Sequence, residues 1–336
     1  MNTINNILII KPGAIGDLLQ LTPVVRALKK KLPAARISLL VGNVVSTELF
    51  RYNEFVHEII VFDRKGEHSS WEALVKLWRR LRASRYDLVL NFQRSNFKAW
   101  LLATAAFPCR LLVYHKAKKR IVHAVVNHLE TLAPLGIDAV DTALEFYVDP
   151  ESDKFAENLF ATKGLTGRNV VALNPGASQS VNRWSPAHFA RLTDKLMNEL
   201  AVKVVIIGGG EDIALAGEIT SQALSRPVNL AGTTTLLQLG AILKRCHLLV
   251  TGDTGPMHMA TAVNTRVIAL FGAADPARTG PVGEGHRVIQ AEEVDCAPCR
   301  SRHCSRSTYL ECMERITVDE VYHACASMLP DKEDRF

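Results

Sequence analysis

Nine short, mostly apolar runs set the frame of this chain, at residues 7–10, 36–41, 59–62, 87–92, 110–113, 170–174, 204–207, 246–251 and 267–271. Runs this short and this continuously apolar fit strands buried on both faces, as in a parallel sheet. Segments with helical spacing separate them. In the first half these are residues 18–31, 71–82 and 99–106; in the second, 151–163, 186–200, 213–224 and 256–262. Leu74, Leu77, Trp78 and Leu81 share one helical face. Regular alternation of strand and helix predicts doubly wound α/β architecture.

The chain has 336 residues, more than one ordinary core accommodates, and the pattern runs through it twice. Two α/β domains are expected, at 1–150 and 151–336, with Tyr147-Val148-Asp149-Pro150-Glu151 as the linker. Open sheets of this kind bind ligands at the carboxyl ends of their strands, which predicts a cleft between the two domains. The apolar fraction of 48% and charged fraction of 22% are those of a globular protein. No apolar run approaches the ~18 residues of a membrane span. Residues 1–6 carry no basic region ahead of a hydrophobic stretch, so a cytoplasmic protein is expected.

The net charge of +6 is uneven, being +8 over residues 1–150 and −2 over 151–336. Lys29-Lys30-Lys31, Arg79-Arg80-Leu81-Arg82 and Lys116-Ala117-Lys118-Lys119-Arg120 make the first half suited to an anionic partner, although solvated helix faces account for part of this.

Four strand-end loops carry the chemistry. Gly252-Asp253-Thr254-Gly255-Pro256-Met257-His258 joins a strand to a helix, and backbone N–H groups with the positive helix end make an anion site there. The alternative is a plain connection capped by Asp253 or Thr254. In Gly13-Ala14-Ile15-Gly16-Asp17 the glycines allow close backbone approach, and Asp17 is either a helix cap or a general base. A dinucleotide fingerprint would need Gly where Lys11 stands. The loop from Asn174 to Trp184 offers small hydroxyl residues and Arg183, suited to phosphate or sugar, while Trp184 is expected to pack the following helix. Gly208-Gly209-Gly210-Glu211-Asp212 reads as a tight turn. Cys296, Cys299, Cys304 and Cys312 have short spacings that admit zinc or disulfides; their gaps match no standard finger, and packed thiols are the favoured reading.

Taken in order, Gly13-x-x-Gly16-Asp17, Asn174-Pro175-Gly176-Ala177-Ser178, the Gly252 to His258 stretch and Phe271-Gly272-Ala273-Ala274-Asp275-Pro276 resemble glycosyltransferase family 9, the ADP-heptose:lipopolysaccharide heptosyltransferases. The resemblance runs from about Ile7 to Val321. It implies a GT-B fold of two Rossmann-like domains facing a central cleft. The donor ADP-heptose would bind the C-terminal domain and the lipopolysaccharide inner core the N-terminal one, with inversion at the anomeric centre, no metal and no further cofactor. Asp17 matches the family's proposed base, in a cleft loop with Lys11, Gly13 and Gly16. Asp253, Thr254, Gly255 and Pro256 match the turn that meets the donor diphosphate, and His258 a donor-side histidine. Ser178 matches a phosphate-contacting hydroxyl and Glu211 an acid near the ribose. Many members have Lys where this chain has Asn182; Arg183 beside it, or the backbone alone, would then hold the leaving group, unless Arg183 only pairs with a surface carboxylate.

The implied partners are a nucleotide sugar, an anionic core acceptor and the inner-membrane surface on its cytoplasmic side, with no nucleic acid. A family-9 transferase with another donor or acceptor is the nearest alternative. A GT-B binding protein without turnover is the second, and an NAD-dependent oxidoreductase is disfavoured by both Gly-rich loops.

Overall fold

The computed structural model describes residues 4–93, 97–117, 120–138 and 140–329. The chain divides into two compact units, residues 1–147 and 148–336. In the N-terminal unit, β1 (Asn6–Ile10) leads into α1 (Ile15–Leu19) and α2 (Thr22–Lys31). Then come β2 (Arg36–Val41), β3 (Val56–Val61), α3 (Trp71–Ala83), β4 (Leu88–Asn91), α4 (Phe97–Thr104), β5 (Arg110–Val113) and α5 (Ala124–Glu130). The five strands are parallel in the order β3-β2-β1-β4-β5. Ile7, Leu8, Ile9 and Ile10 are fully buried, as expected of a central strand covered on both faces.

The C-terminal unit opens with α6 (Pro150–Thr162), β6 (Val170–Asn174), α7 (Pro186–Glu199), β7 (Lys203–Ile206), α8 (Ile213–Gln222) and β8 (Val228–Asn229). It continues through α9 (Leu236–Arg245), β9 (Leu248–Gly252), α10 (Gly255–Ala262), β10 (Arg266–Phe271) and α11 (Pro276–Thr279). β11 (Arg287–Gln290), α12 (Glu311–Glu314) and α13 (Val318–Met328) complete it. Its six parallel strands run β11-β10-β9-β6-β7-β8. Both sheets are thus doubly wound, with the direction of winding reversing at β1/β4 and at β6/β9.

Helix starts follow local chemistry. Ser70, Asp149 and Ser185 accept the N–H of the residue three further on, and Pro150 and Pro186 occupy first-turn positions. Thr235 with Gln238 and Thr317 with Glu320 form capping boxes at α9 and α13. Trp184 is buried against α7, edge-on to Phe189, with its Nε1 donating to the Ile316 carbonyl at 2.9 Å.

Two expectations are corrected. The helix expected over 18–31 is broken into α1 and α2, because Pro23 has no N–H for the Leu19 carbonyl. The Thr22 hydroxyl donates to that carbonyl instead, at 2.8 Å. The strand expected from Cys246 starts at Leu248, since Cys246 closes α9.

Much of the basic charge serves the fold. Lys29–31 and Arg80 and Arg82 lie in the last turns of α2 and α3, where cations complement the helix dipole. Lys29 donates to the Ala35 carbonyl, Arg80 pairs with Glu58, and Arg82 donates to the Ala105 and Phe107 carbonyls. These groups sit toward the amino ends of the strands, away from the ligand-binding edge. Of the third cluster, Lys118 and Lys119 lie outside the described residues. Among the described residues no helix is long and apolar enough to cross a membrane.

Candidate functional site

In the C-terminal unit the register pairs Asn174 with Thr251 across β6 and β9, so the loops leaving these strands lie side by side at the winding reversal. Asn174 Nδ2 donates to Thr251 Oγ1 at 2.9 Å and to Thr254 Oγ1 at 3.1 Å, with the Gly176 carbonyl at 3.3 Å. The two hydroxyls are 3.0 Å apart. Thr254 occupies the N-cap position of α10 in extended conformation, and its side chain makes no capping bond. Its hydroxyl is turned to Asn174 instead. The positive end of α10, at Gly255 and Pro256, is therefore without a cap from Thr254, as a site for an external anion requires. Asp253 accepts from Thr279 Oγ1 at 3.2 Å, tying this turn to α11, and His258 is buried one turn into α10.

Gly252 is required by packing: a Cβ there would stand 2.5 Å from the Asn182 carbonyl oxygen. This contact lays the loop of Ser178, Asn182 and Arg183 on the β9–α10 turn. Ser178 is exposed. Asn182 Oδ1 is buried with no hydrogen-bond partner in the protein. Arg183 donates through Nε and Nη2 to the Ala177 carbonyl, at 3.1 and 2.9 Å, and so braces its own loop.

The β7 loop meets the same edge. Glu211 is exposed beside Gly209, whereas Asp212 is buried and accepts the Gly209 N–H at 3.0 Å. A Cβ at Gly176 would lie 2.3 Å from Asp212 Oδ1, and one at Gly208 2.7 Å from its Cβ. Asp212 thus wedges two loops together. It is a site residue missed by sequence reading, although the glycines at 176 and 208 were a signal. Thr279 is another.

The cysteine loop joins this edge from behind. Cys312 Sγ and Met313 Sδ occupy the space a Cβ at Gly272 would need, and Arg300 N–H donates to the Ala273 carbonyl at 2.7 Å. All seven cysteines are free thiols, and among the described residues no three His, Cys, Asp or Glu groups are arranged to hold a metal. Backbone N–H groups of Leu310 and Arg306 pull the Cys304 thiol down, and burial pushes Cys312 up.

In the N-terminal unit Asp17 is the third residue of α1, while Ala14 occupies the cap position, so Asp17 is not the N-cap. Its half-exposed carboxylate accepts from the buried Lys11 ammonium at 3.2 Å. A Cβ at Gly13 would come within 3.1 Å of both Asp17 Cβ and Lys11 Cε, so glycine lets the loop close over the pair. Gly16 lies next to Asp17, and its carbonyl accepts the Gln20 N–H. This loop follows β1, at the winding reversal with β4.

Behind it sits His128 of α5, absent from the sequence reading. It is buried, with Nδ1 3.4 Å from the Gln20 carbonyl and its ring edge-on to Phe92 and Tyr114. Burial first, then the Lys11 charge, pushes its pKa down to about 3. The unfolded value is the ordinary 6.5, so neutral His128 stabilises the fold fully above pH 6.5. That contribution, on the order of 3–5 kcal/mol, is lost as pH falls from 6.5 toward 3. Denaturant midpoints at pH 7 and 4.5 are expected to differ much less in His128→Gln than in the parent chain; an unaltered difference would remove His128 as the source.

The sequence model of glycosyltransferase family 9 (heptosyltransferase) matches residues 74–310. Lipopolysaccharide heptosyltransferase 3 of Escherichia coli is 29% identical over 333 residues, covering 94% of this chain and 96% of that protein. The crystal structure of the glycosyl transferase family 9 protein from Veillonella parvula has a TM-score of 0.87 at 24% identity, covering 96% of this chain and 97% of its own. The structure of E. coli ADP-heptose lps heptosyltransferase II gives 0.76 at 24% identity, covering 96% and 98%. The fold is therefore GT-B, as the resemblance implied. With the family model spanning most of its length, the chain belongs to glycosyltransferase family 9, the heptosyltransferases.

Proposed function

We propose that this protein transfers heptose from ADP-heptose to the inner core of lipopolysaccharide, with inversion and without a metal or other cofactor. The observation that carries the reading is the Asn174–Thr251–Thr254 cluster, which turns the Thr254 hydroxyl away from the start of α10. In a family-9 chain, that helix end suits the donor diphosphate. Asp253, Thr254, Gly255, Pro256 and His258 would form the turn around it. Ser178, Asn182 and Arg183 would lie over the phosphates, and Glu211 toward the ribose.

Asp17 is assigned the base, and Lys11, Gly13 and Gly16 the acceptor loop. The acceptor hydroxyl oxygen attacks the anomeric carbon as its proton passes to Asp17. The bond from that carbon to the diphosphate breaks, and ADP leaves on the donor turn. Helix-end N–H groups and a guanidinium can stabilise the departing charge without a metal ion. The acceptor is anionic and membrane-bound, so a peripheral position on the cytoplasmic membrane face belongs to the same reading.

Arg183→Ala is expected to weaken ADP binding by about tenfold, read by calorimetry. Unchanged affinity would assign the diphosphate to the backbone alone. For the reaction itself, proton NMR of the product should give the anomeric configuration opposite to that of the donor. EDTA should leave the rate intact. Retention of configuration, or loss of activity restored by a metal, would overturn the mechanism.

A further inference from the structure

Among the described residues, Lys11 is the only buried lysine or arginine. Lysine is almost never fully buried unless it is paired, and taking an ammonium out of water is costly. An unbranched apolar side chain of the same length would fill the space without that cost, so packing does not explain the charge. Its explanation lies in what the ammonium touches.

The main chain of Lys11 is fixed at the end of β1. Its N–H donates to the Leu40 carbonyl at 3.0 Å, and its carbonyl accepts the Gly13 N–H at 2.8 Å. The ammonium reaches Asp17 Oδ1 at 3.2 Å, and the two side chains are 8% and 49% exposed. The Lys11 charge acts on the buried His128, which stays neutral, so the imidazole adds no second positive charge. The pair is thus asymmetric, an anchored and dry cation against a carboxylate open to ligand.

Only one oxygen of that carboxylate is engaged. Oδ1 accepts from Lys11, while Oδ2 has no hydrogen-bond partner among the described residues. A Cβ at Gly13 would come within 3.2 Å of Oδ2, so glycine keeps this oxygen clear. A half-exposed aspartate turns about its side-chain bonds unless something holds it. Holding one oxygen sets the plane of the group, and with it the direction in which the other accepts a proton.

We propose that Lys11 is the positioning residue of Asp17, its ammonium holding Oδ1 so that Oδ2 faces the acceptor hydroxyl. The inference rests on Asp17 being the base. In the transfer step the acceptor proton goes to Oδ2, the acceptor oxygen bonds to the anomeric carbon, and ADP leaves. Lys11 keeps all three of its protons throughout.

Lys11→Met preserves the length of the side chain and removes the charge. Its kcat is expected to fall about 10- to 100-fold. The acceptor KM and ADP affinity should stay near those of the parent, with Tm no lower than the parent's. A double-mutant cycle then reads whether Lys11 works through Asp17. In the Asp17→Asn background, Lys11→Met should lower the rate little or not at all, because no base is left to orient.

A loss in that background as large as in the parent would overturn the inference. So would an effect on acceptor KM alone, which would make Lys11 a direct acceptor contact, or a clear fall in Tm, which would return the ammonium to the fold. A parental rate in Lys11→Met beside a slow Asp17→Asn would remove Lys11 and leave the base standing. No transfer by the parent chain, or a parental rate in Asp17→Asn, would instead remove the enzymatic reading or its base, and the role of Lys11 with it.

Discussion

Asp17→Asn is expected to lower kcat by roughly 10²–10⁴ while leaving ADP affinity near that of the parent protein. The side chain keeps its shape, and its remaining oxygen can still accept from Lys11, so the loop over Gly13 has no reason to move. What is lost is the capacity to take a proton. Asp17 is the third residue of α1 and not its N-cap, so the change does not uncap the helix. It belongs to the N-terminal unit, whereas the proposed ADP contacts are all in the C-terminal unit. Steady-state rates with calorimetric ADP titration separate the two effects. A rate close to the parent's would remove Asp17 as base, and a matching loss of ADP affinity would point to a structural role.

The second large effect is expected at Gly252. Alanine there places a methyl carbon, fixed in position by the backbone, 2.5 Å from the Asn182 carbonyl oxygen, which is itself a backbone atom. Neither can yield by a side-chain rotation. Gly252 ends β9 in register with Leu270, and Asn182 lies just before the buried Trp184. The strain must therefore displace the β9–α10 turn or the Ser178 loop, the two segments proposed to hold the diphosphate. Overpacking of this kind costs about 1–3 kcal/mol, and ADP affinity is expected to fall by about 10- to 100-fold. Gly210→Ala is the matched control, because a Cβ there meets nothing within 4 Å. Equal ADP affinities for the two variants would contradict the proposed donor site.

The strands were legible because parallel strands covered on both faces leave continuous apolar runs. β2, β5 and β6 coincide with the expected runs at 36–41, 110–113 and 170–174. β8 has two residues, too few to leave a pattern. α9 carried a readable signal, Thr235 with Gln238 before an apolar stretch. The break between α1 and α2 was also written locally, in Pro23, but the apolar periodicity runs through it.

The loops of the candidate site were legible as compositions, and their internal bonding was not. Arg183 was readable as a cation, yet its partner is the Ala177 carbonyl rather than any charged group of the protein. Asp212 acquires its role only when two loops from neighbouring strands converge on it. His128 is defined by Gln20, Phe92 and Tyr114, which reach it from three separate segments. The basic clusters illustrate the reverse. They were conspicuous in the sequence, and several of their members turn out to secure the last turns of α2 and α3.

The most direct test of heptosyl transfer by this chain is mass spectrometry of products formed from a panel of nucleotide sugars and truncated lipopolysaccharide cores. The account predicts that ADP-heptose alone adds one heptose to an inner-core acceptor, with ADP released and no addition by Asp17→Asn. Transfer from a different nucleotide sugar with none from ADP-heptose, or tight ADP-heptose binding with no product on any core, would contradict it.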